Sequence, residues 1–263
     1  MKPQKLLLFT LLLFAIFAGQ AQTVYVTTLA DKRGATGTEA MNMFKVNLPA
    51  LVLKNISVQY ERVLSQKTAV ALNLRIMPPS TIPFKNLILK SVGDDEPDTK
   101  ETIEKLRLSN FAITPEFRWY VGKTGYGEGF YIAPFYRFAS YKSNDLIFFY
   151  DDDLSNQQSI TMTGKLTSHT GGLLIGAQWL FGTHVVLDWW ILGLNYGAGT
   201  GNFSGITSQS LSASEQDNLR QELEDLEIPF TNKTVTVTSN GANLKLDGPW
   251  GGLRAGICLG IRF

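Results

Sequence analysis

The sequence predicts an all-β chain, an eight-stranded antiparallel transmembrane β-barrel with long extracellular loops. Three observations lead there. Apolar and polar residues alternate with a period of two in eight segments, each about 9–15 residues long. The connections between those segments alternate between short and long. A charged, apolar leader opens the chain, and after it no run reaches the ~18 apolar residues of a spanning helix. Composition agrees: the 263 residues are 44% hydrophobic and 18% charged, where soluble domains carry about 25% charge.

In chain order, Lys2 and Lys5 precede an apolar run over 6–18, and Gly19-Gln20-Ala21 places small residues at a peptidase exit. That pattern reads as a secretory signal peptide over 1–21, cleaved after Ala21. No cysteine sits at the exit, so it is not a lipoprotein leader. Residues 22–40 are expected as a periplasmic N-terminal segment, and 41–263 as the outer-membrane barrel. Without the leader the chain has 22 basic and 23 acidic residues, a net charge of −1, which argues against nucleic acid as a partner. Cys258 is the lone cysteine, so no internal disulfide forms. With only His169 and His184 beside it, a closed zinc site is not expected.

The first segment, 44–52, sets Val46, Leu48, Ala50 and Val52 against Lys45, Asn47 and Pro49. The second covers 56–63. The third opposes Val70, Leu72, Leu74 and Ile76 to Ala69, Ala71, Asn73 and Arg75. The fourth sets Phe111, Ile113, Phe117, Trp119 and Val121 against Ala112, Thr114, Glu116 and Arg118. The fifth and sixth cover 130–141 and 171–181. The seventh, 185–199, loses its phase near Gly193, where a bulge suits a glycine. The eighth sets Leu253, Ala255, Ile257, Leu259, Ile261 and Phe263 against Arg254, Gly256, Cys258, Gly260 and Arg262.

A soluble β-sandwich shares this alternation, and three features weigh against it. The inner faces carry charge and glycine, whereas a sandwich keeps polar residues outside. Aromatics gather near segment ends, at Tyr60, Trp119, Trp179, Phe181 and Trp189, with Tyr120, Trp190 and Phe263, as in the girdles at membrane interfaces. The connections 65–67, 122–127 and 182–184 are short and 78–107, 142–163 and 201–243 long, with only 53–55 breaking the pattern. With both termini periplasmic, eight strands put every short turn inside and every long loop outside.

The stretches 55–64 (NISVQYERVL), 113–122 (ITPEFRWYVG), 129–138 (GFYIAPFYRF) and 256–263 (GICLGIRF) resemble small outer-membrane barrels of the OmpX and OmpA-transmembrane-domain type. They resemble more closely an uncharacterised outer-membrane barrel family common in Bacteroidota. Phe263, with Ile257, Leu259 and Ile261 at alternate positions before it, is similar to the signal such proteins present to the barrel assembly machinery. The resemblance implies a fold and the cell outer membrane as compartment, and no activity. The chain departs from the smallest members in its long external loops.

Candidate chemistry is sparse. An outer-membrane lipid A deacylase would need a His-x-Ser arrangement, and Ser168-His169-Thr170 lacks it. Neighbours on a strand also point to opposite faces, so Ser168 and His169 form no dyad. His184 sits in a short turn. Gly122-Lys123-Thr124 imitates the end of a phosphate-binding loop, but Phe117 stands where its first glycine belongs. Gly197, Gly199 and Gly201 precede no helix and make no dinucleotide fingerprint. No catalytic residue, cofactor or metal is therefore expected. The acidic runs 94–96 and 151–153 could hold calcium, but lack the spacing of a calcium loop and read as solvated charge.

The inward charges say more. Lys45, Glu61, Arg75, Glu116, Arg118, Arg137, Asp188, Arg254 and Arg262 share the parity opposite each apolar face. Six basic and three acidic groups could make an anion-attracting lumen. An ion-pair lattice that fills the barrel and fixes its register is the reading preferred, because eight strands leave room only for side chains. Ser212 and Glu215 form a capping box before Leu219, Leu223 and Leu226, and Asp98 and Glu101 a weaker one before Ile103 and Leu106, so two loops are expected to hold short helices. The expectation is a monomeric, non-catalytic barrel with a structural or surface-interaction role. Its partners would be outer-membrane lipids, lipopolysaccharide, the assembly machinery and an extracellular protein or glycan. A narrow anion-preferring pore and a lipid-modifying enzyme are the alternatives.

Overall fold

The computed structural model describes residues 40–92, 97–149, 158–226 and 228–263. The leader, most of the segment after it and both acidic runs lie outside the described residues. Among them, nine strands form one antiparallel sheet: β1 (Asn42–Asn47), β2 (Ile56–Val63), β3 (Thr68–Thr81), β4 (Arg107–Tyr120), β5 (Gly129–Phe149), β6 (Ser159–Phe181), β7 (Val185–Ile206), β8 (Asn232–Thr238) and β9 (Gly241–Arg262). Each strand pairs with the next up to β7, which pairs with β9, and β9 pairs back to β1. Eight strands thus close a ring. β8 stands outside it as a short hairpin partner on the edge of β9. Four helices accompany the sheet: α1 (Leu48–Val52), α2 (Lys85–Ser91), α3 (Pro97–Lys105) and α4 (Ala213–Glu224).

Closure is sealed by the last residue. Phe263 N–H donates to the Asn42 carbonyl and Asn42 N–H to the Phe263 carbonyl, at 2.9 and 3.0 Å. Gly260 lets β1 approach, since a Cβ there would lie 2.2 Å from the Phe44 carbonyl oxygen. Short turns after β2, β4 and β6 gather at the same end as this seam, called here the turn end; α2, α3, α4 and β8 gather at the opposite, open end.

Several expectations need correcting. The first strand does not run to Val52. It stops at Asn47, whose side chain accepts from Ala50 N–H and caps α1. Pro49 fixes φ and removes a ladder donor while suiting a helix's first turn. Strand reaches into the long connections 142–163 and 201–243 from both sides: β5 continues to Phe149, β6 starts at Ser159, β7 continues to Ile206 and β9 starts at Gly241. Asp98 lies inside the first turn of α3, which begins at Pro97, and not ahead of it, and Glu101 pairs with Lys105 at 2.5 Å. Helix α2 has no counterpart in the sequence reading. The Ser212–Glu215 capping box is present on α4. Tyr120 and Trp190 do not face outward but are buried inside the ring.

The longest strands change character along their length. In the turn-end half, Leu173, Ile175 and Phe181 of β6 and Leu253, Leu259 and Ile261 of β9 are exposed on the outside, while Gln178, Arg254 and Arg262 are buried inside. Toward the open end this reverses. Ile160 and Met162 of β6 and Leu244 and Leu246 of β9 are buried, while Thr161, Thr163, Lys165, Lys245 and Asp247 are exposed. Helix α4 covers that apolar inner face with Leu219 and Leu223, both fully buried, and Leu226 beside them. Along β7 the two halves meet at a register shift between Trp190 and Gly193, below which even-numbered residues face in and above which odd-numbered ones do.

Candidate functional site

Six of the nine inward charges form one buried lattice across the ring. Lys45 Nζ donates to Glu61 Oε2 (2.5 Å), Gln178 Oε1 (2.7 Å) and Asp188 Oδ2 (2.7 Å). Arg118 Nη1 donates to Glu61 Oε2 (2.9 Å) and Asp188 Oδ2 (2.8 Å), and its Nη2 to Glu116 Oε2 (3.2 Å) and Gln59 Oε1 (2.9 Å). Arg254 Nη2 reaches the other Glu116 oxygen. Two tyrosines complete the carboxylates' shells: Tyr120 Oη donates to Glu61 (2.6 Å) and Tyr131 Oη to Asp188 (2.8 Å). Trp190 Nε1 donates to Asp188 at 3.1 Å, and its ring carries the Arg254 guanidinium 4.0 Å from its centroid.

Three cations meet three carboxylates, so the lattice is neutral. A buried charge is tolerated when it is paired and hydrogen-bonded, and costly when one partner is removed. Every strand of the ring except β3 places a residue here, and can do so only because alternate residues face in. The glycines opposite make room: a Cβ on Gly176 would lie 2.3 Å from the Tyr131 ring.

The other three charges stand apart. Arg75 Nε donates to Asn55 Oδ1 (2.9 Å) and Arg137 Nη1 to Thr114 Oγ1 (3.2 Å). Among the described residues no carboxylate lies within ion-pair distance of either. Both lie on the open-end side of the lattice and line a cleft with Arg254, Trp190 and Trp250. Arg262 is buried at the turn end, where its Nε donates to the Ala40 carbonyl.

A comparison with known families adds one match. Residues 8–204 match DUF3575, described as a protein of unknown function. The chain belongs to the DUF3575 family. No curated protein and no solved structure matches it. The DUF3575 match ends within β7, so α4, β8 and β9 lie beyond it.

In this DUF3575 chain the remaining sequence candidates fall as follows. Ile257, Leu259, Ile261 and Phe263 line the outside of β9's final turn-end stretch, with Leu259 between Val46 and Leu187 and Ile261 between Phe44 and Val185. Of the girdle aromatics, Tyr60, Trp119 and Phe181 are exposed and Trp179 and Trp189 half-buried. His169 is exposed, hydrogen-bonded to Tyr136 Oη at 2.6 Å and edge-on to Phe138; His184 bonds Thr183 in its turn. Neither histidine lines the cleft, although Ser168 and Thr170 on either side of His169 do. Among the described residues no group of three or more His, Cys, Asp or Glu could hold a metal, and no helix is long and apolar enough to cross a membrane. Sequence reading passed over Gln59, Gln178, Tyr120, Tyr131 and Trp190, the neutral members of the lattice. Their signal was available: each has the inward parity of the charge two residues away or of its strand's buried face.

Proposed function

We propose that this DUF3575 chain is an outer-membrane β-barrel of the general OmpX type, exported by its leader. Its turn-end half spans the bilayer, plugged by the ion lattice, and its open-end half projects into water as a structural or surface-interaction module. The observation that carries this reading is the reversal of polarity along β6 and β9. A change of solvent along the strand accounts for one end exposing Leu173 and Ile175 and the other exposing Thr161, Thr163 and Lys165. Soluble monomers rarely leave a contiguous apolar belt exposed. About ten residues tilted near 45° cross the hydrocarbon, which fits the outward apolar run of β4 from Phe111 to Trp119.

Hydrocarbon admits no open sheet edge. The β1–β9 ladder joins residues 43–47 to 258–262, and β8 joins β9 only over 241–247. Between these, over 248–257, β9 is laddered to neither β1 nor β8, and α1 packs beside that edge. Outward Leu253 and Ile257 of the apolar belt lie on this stretch, so the membrane reading requires its edge to be covered, and α1 is the element beside it.

The partners that fit are lipid and lipopolysaccharide around the belt, the assembly machinery at the Phe263 seam, and a surface partner at the open end. The surplus of Arg75 and Arg137 favours a second reading, a narrow anion-preferring pore; the lattice blocks the route beneath them. Planar-bilayer recording separates the two. A plugged barrel gives no stable conductance steps, and regular anion-selective openings would overturn the plug. Phe263→Asp is expected to lower the amount of heat-modifiable protein in the outer membrane, and normal abundance would count against the membrane reading.

A further inference from the structure

We propose that the cleft above the lattice is an oxyanion site, in which Arg75, Arg137 and Arg254 take a phosphate or carboxylate group. The lattice is balanced without Arg75 and Arg137, so neither is needed to neutralise Glu61, Glu116 or Asp188. Arg137 and Arg254 both repel Arg75 across the cleft. A guanidinium has five donors, yet Arg75 and Arg137 each meet one neutral side-chain oxygen. Arg254, only 4% exposed, spends Nη2 on Glu116, and its Nη1 is buried with no hydrogen-bond partner. Like charges gathered with spare donors in a recess are complementary to an oxyanion, which can accept from several forks at once.

The cleft also suggests where such an anion would come from. At its upper wall the Tyr141 and Trp250 rings stand 5.7 Å apart. Both residues also border a second, apolar cavity lined by Leu146, Phe203, Leu244 and Leu246. A free phosphate would use the arginines alone. The headgroup of a phosphate-bearing amphiphile would use the arginines and lay its chain against the apolar wall. Nothing in this requires a bilayer around the ring, so failure of the membrane reading leaves the site standing.

The test is titration of full-length mature protein, folded in maltoside micelles, with inorganic phosphate and separately with short-chain phosphatidic acid. Tryptophan fluorescence, to which Trp190 and Trp250 in the cleft contribute, and the thermal midpoint are followed. Wild type is expected to respond to at least one probe. A response to both identifies a free-ion site, and a response to phosphatidic acid alone identifies a headgroup site. Arg75→Gln and Arg137→Gln are each expected to weaken binding by about tenfold or more, about 1.4 kcal/mol. Both should also raise the ligand-free midpoint, because repulsion is relieved; a merely structural arginine would lower it. Arg220→Gln, on α4 and outside the cleft lining, should change neither. No response from wild type to either probe, or undiminished binding in the Arg75→Gln/Arg137→Gln double variant, would overturn the proposal. The wild-type titration decides even if a variant fails to fold.

Discussion

The two halves of the ring are built from the same strands by opposite rules. In the turn-end half the inside sets a charged lattice among buried apolar and aromatic side chains such as Met43, Tyr131, Leu174 and Trp190, and the outside is apolar; toward the open end the inside is apolar and the outside polar. The interior of the first is held by charge, with Lys45, Arg118 and Arg254 against Glu61, Glu116 and Asp188. The interior of the second is held by burial, with Leu219, Leu223, Leu244, Leu246, Ile160 and Met162 in one cluster. Burial of apolar side chains stabilises only where water is the alternative. A lipid-facing half has no such gain from its outer surface, so polar complementarity must fix its register instead. The bulge at Trp190–Gly193 in β7 shows how one strand serves both halves: it brings Asp188 inside below and Phe203 inside above.

The comparison can be broken at each half separately. The largest effect is expected from Asp188→Ala, which leaves Lys45 and Arg118 short of an acceptor; loss of one partner of a buried pair costs about 3–5 kcal/mol. Urea-induced unfolding in vesicles measures it, and pairing the change with Lys45→Met should restore part of the loss. Next is Leu219→Ala on α4, where a buried leucine truncation costs about 2–5 kcal/mol. That loss should loosen the open-end half alone, so limited proteolysis should cut near α4 and β8 while the ring keeps its heat-modifiable gel mobility. Leu72→Arg, midway along the outer face of β3, should cost about 2–4 kcal/mol as a charge placed in hydrocarbon. Thr163→Arg on the outer face of the other half should stay within about 0.5 kcal/mol, as surface substitutions do. Equal costs for Leu72→Arg and Thr163→Arg would erase the distinction between the halves.

The smallest effect concerns the α4 cap. The Ser212 hydroxyl and backbone N–H both donate to Glu215 and hold its carboxyl below its ordinary value of 4.5. A folded-state value below the unfolded one means that the cap's contribution is full above the ordinary value. It is lost as pH falls through the lowered one. Amide exchange in α4 should therefore quicken under acid before exchange in the ring does, and Glu215→Gln should flatten that dependence.

Much of the lower half was legible because a period of two is a local signal. Parity alone places Glu61, Glu116, Asp188 and Arg254 on buried faces and Leu259 and Ile261 on exposed ones. Which cation meets which carboxylate was not legible, since Lys45 and Asp188 are joined only when β1, β7 and β9 close the ring. Tyr120 and Trp190 were misplaced because a chemical preference for interfaces was set above their parity. The open-end half was read as loop for a different reason. There Thr161, Met162, Thr163 and Lys165 still alternate, but with the apolar residues on the opposite side to those of Leu173 and Ile175, and a reader holding one phase sees the pattern fail. β1 ended early because Asn47-Leu48-Pro49 offers a cap and a fixed φ, a local alternative that outweighs two further alternations.

The most direct test places a spin label, one at a time, at outward positions along β6 in protein with Cys258→Ala, reconstituted in vesicles. The positions are Ile175, Leu173, His169, Thr167, Lys165 and Thr163. Collision with oxygen reports lipid, and collision with a water-soluble nickel complex reports solvent. The account expects oxygen to dominate at Ile175 and Leu173 and nickel at Lys165 and Thr163, with one crossover near His169. Nickel access along the whole strand in vesicle-bound protein would contradict it.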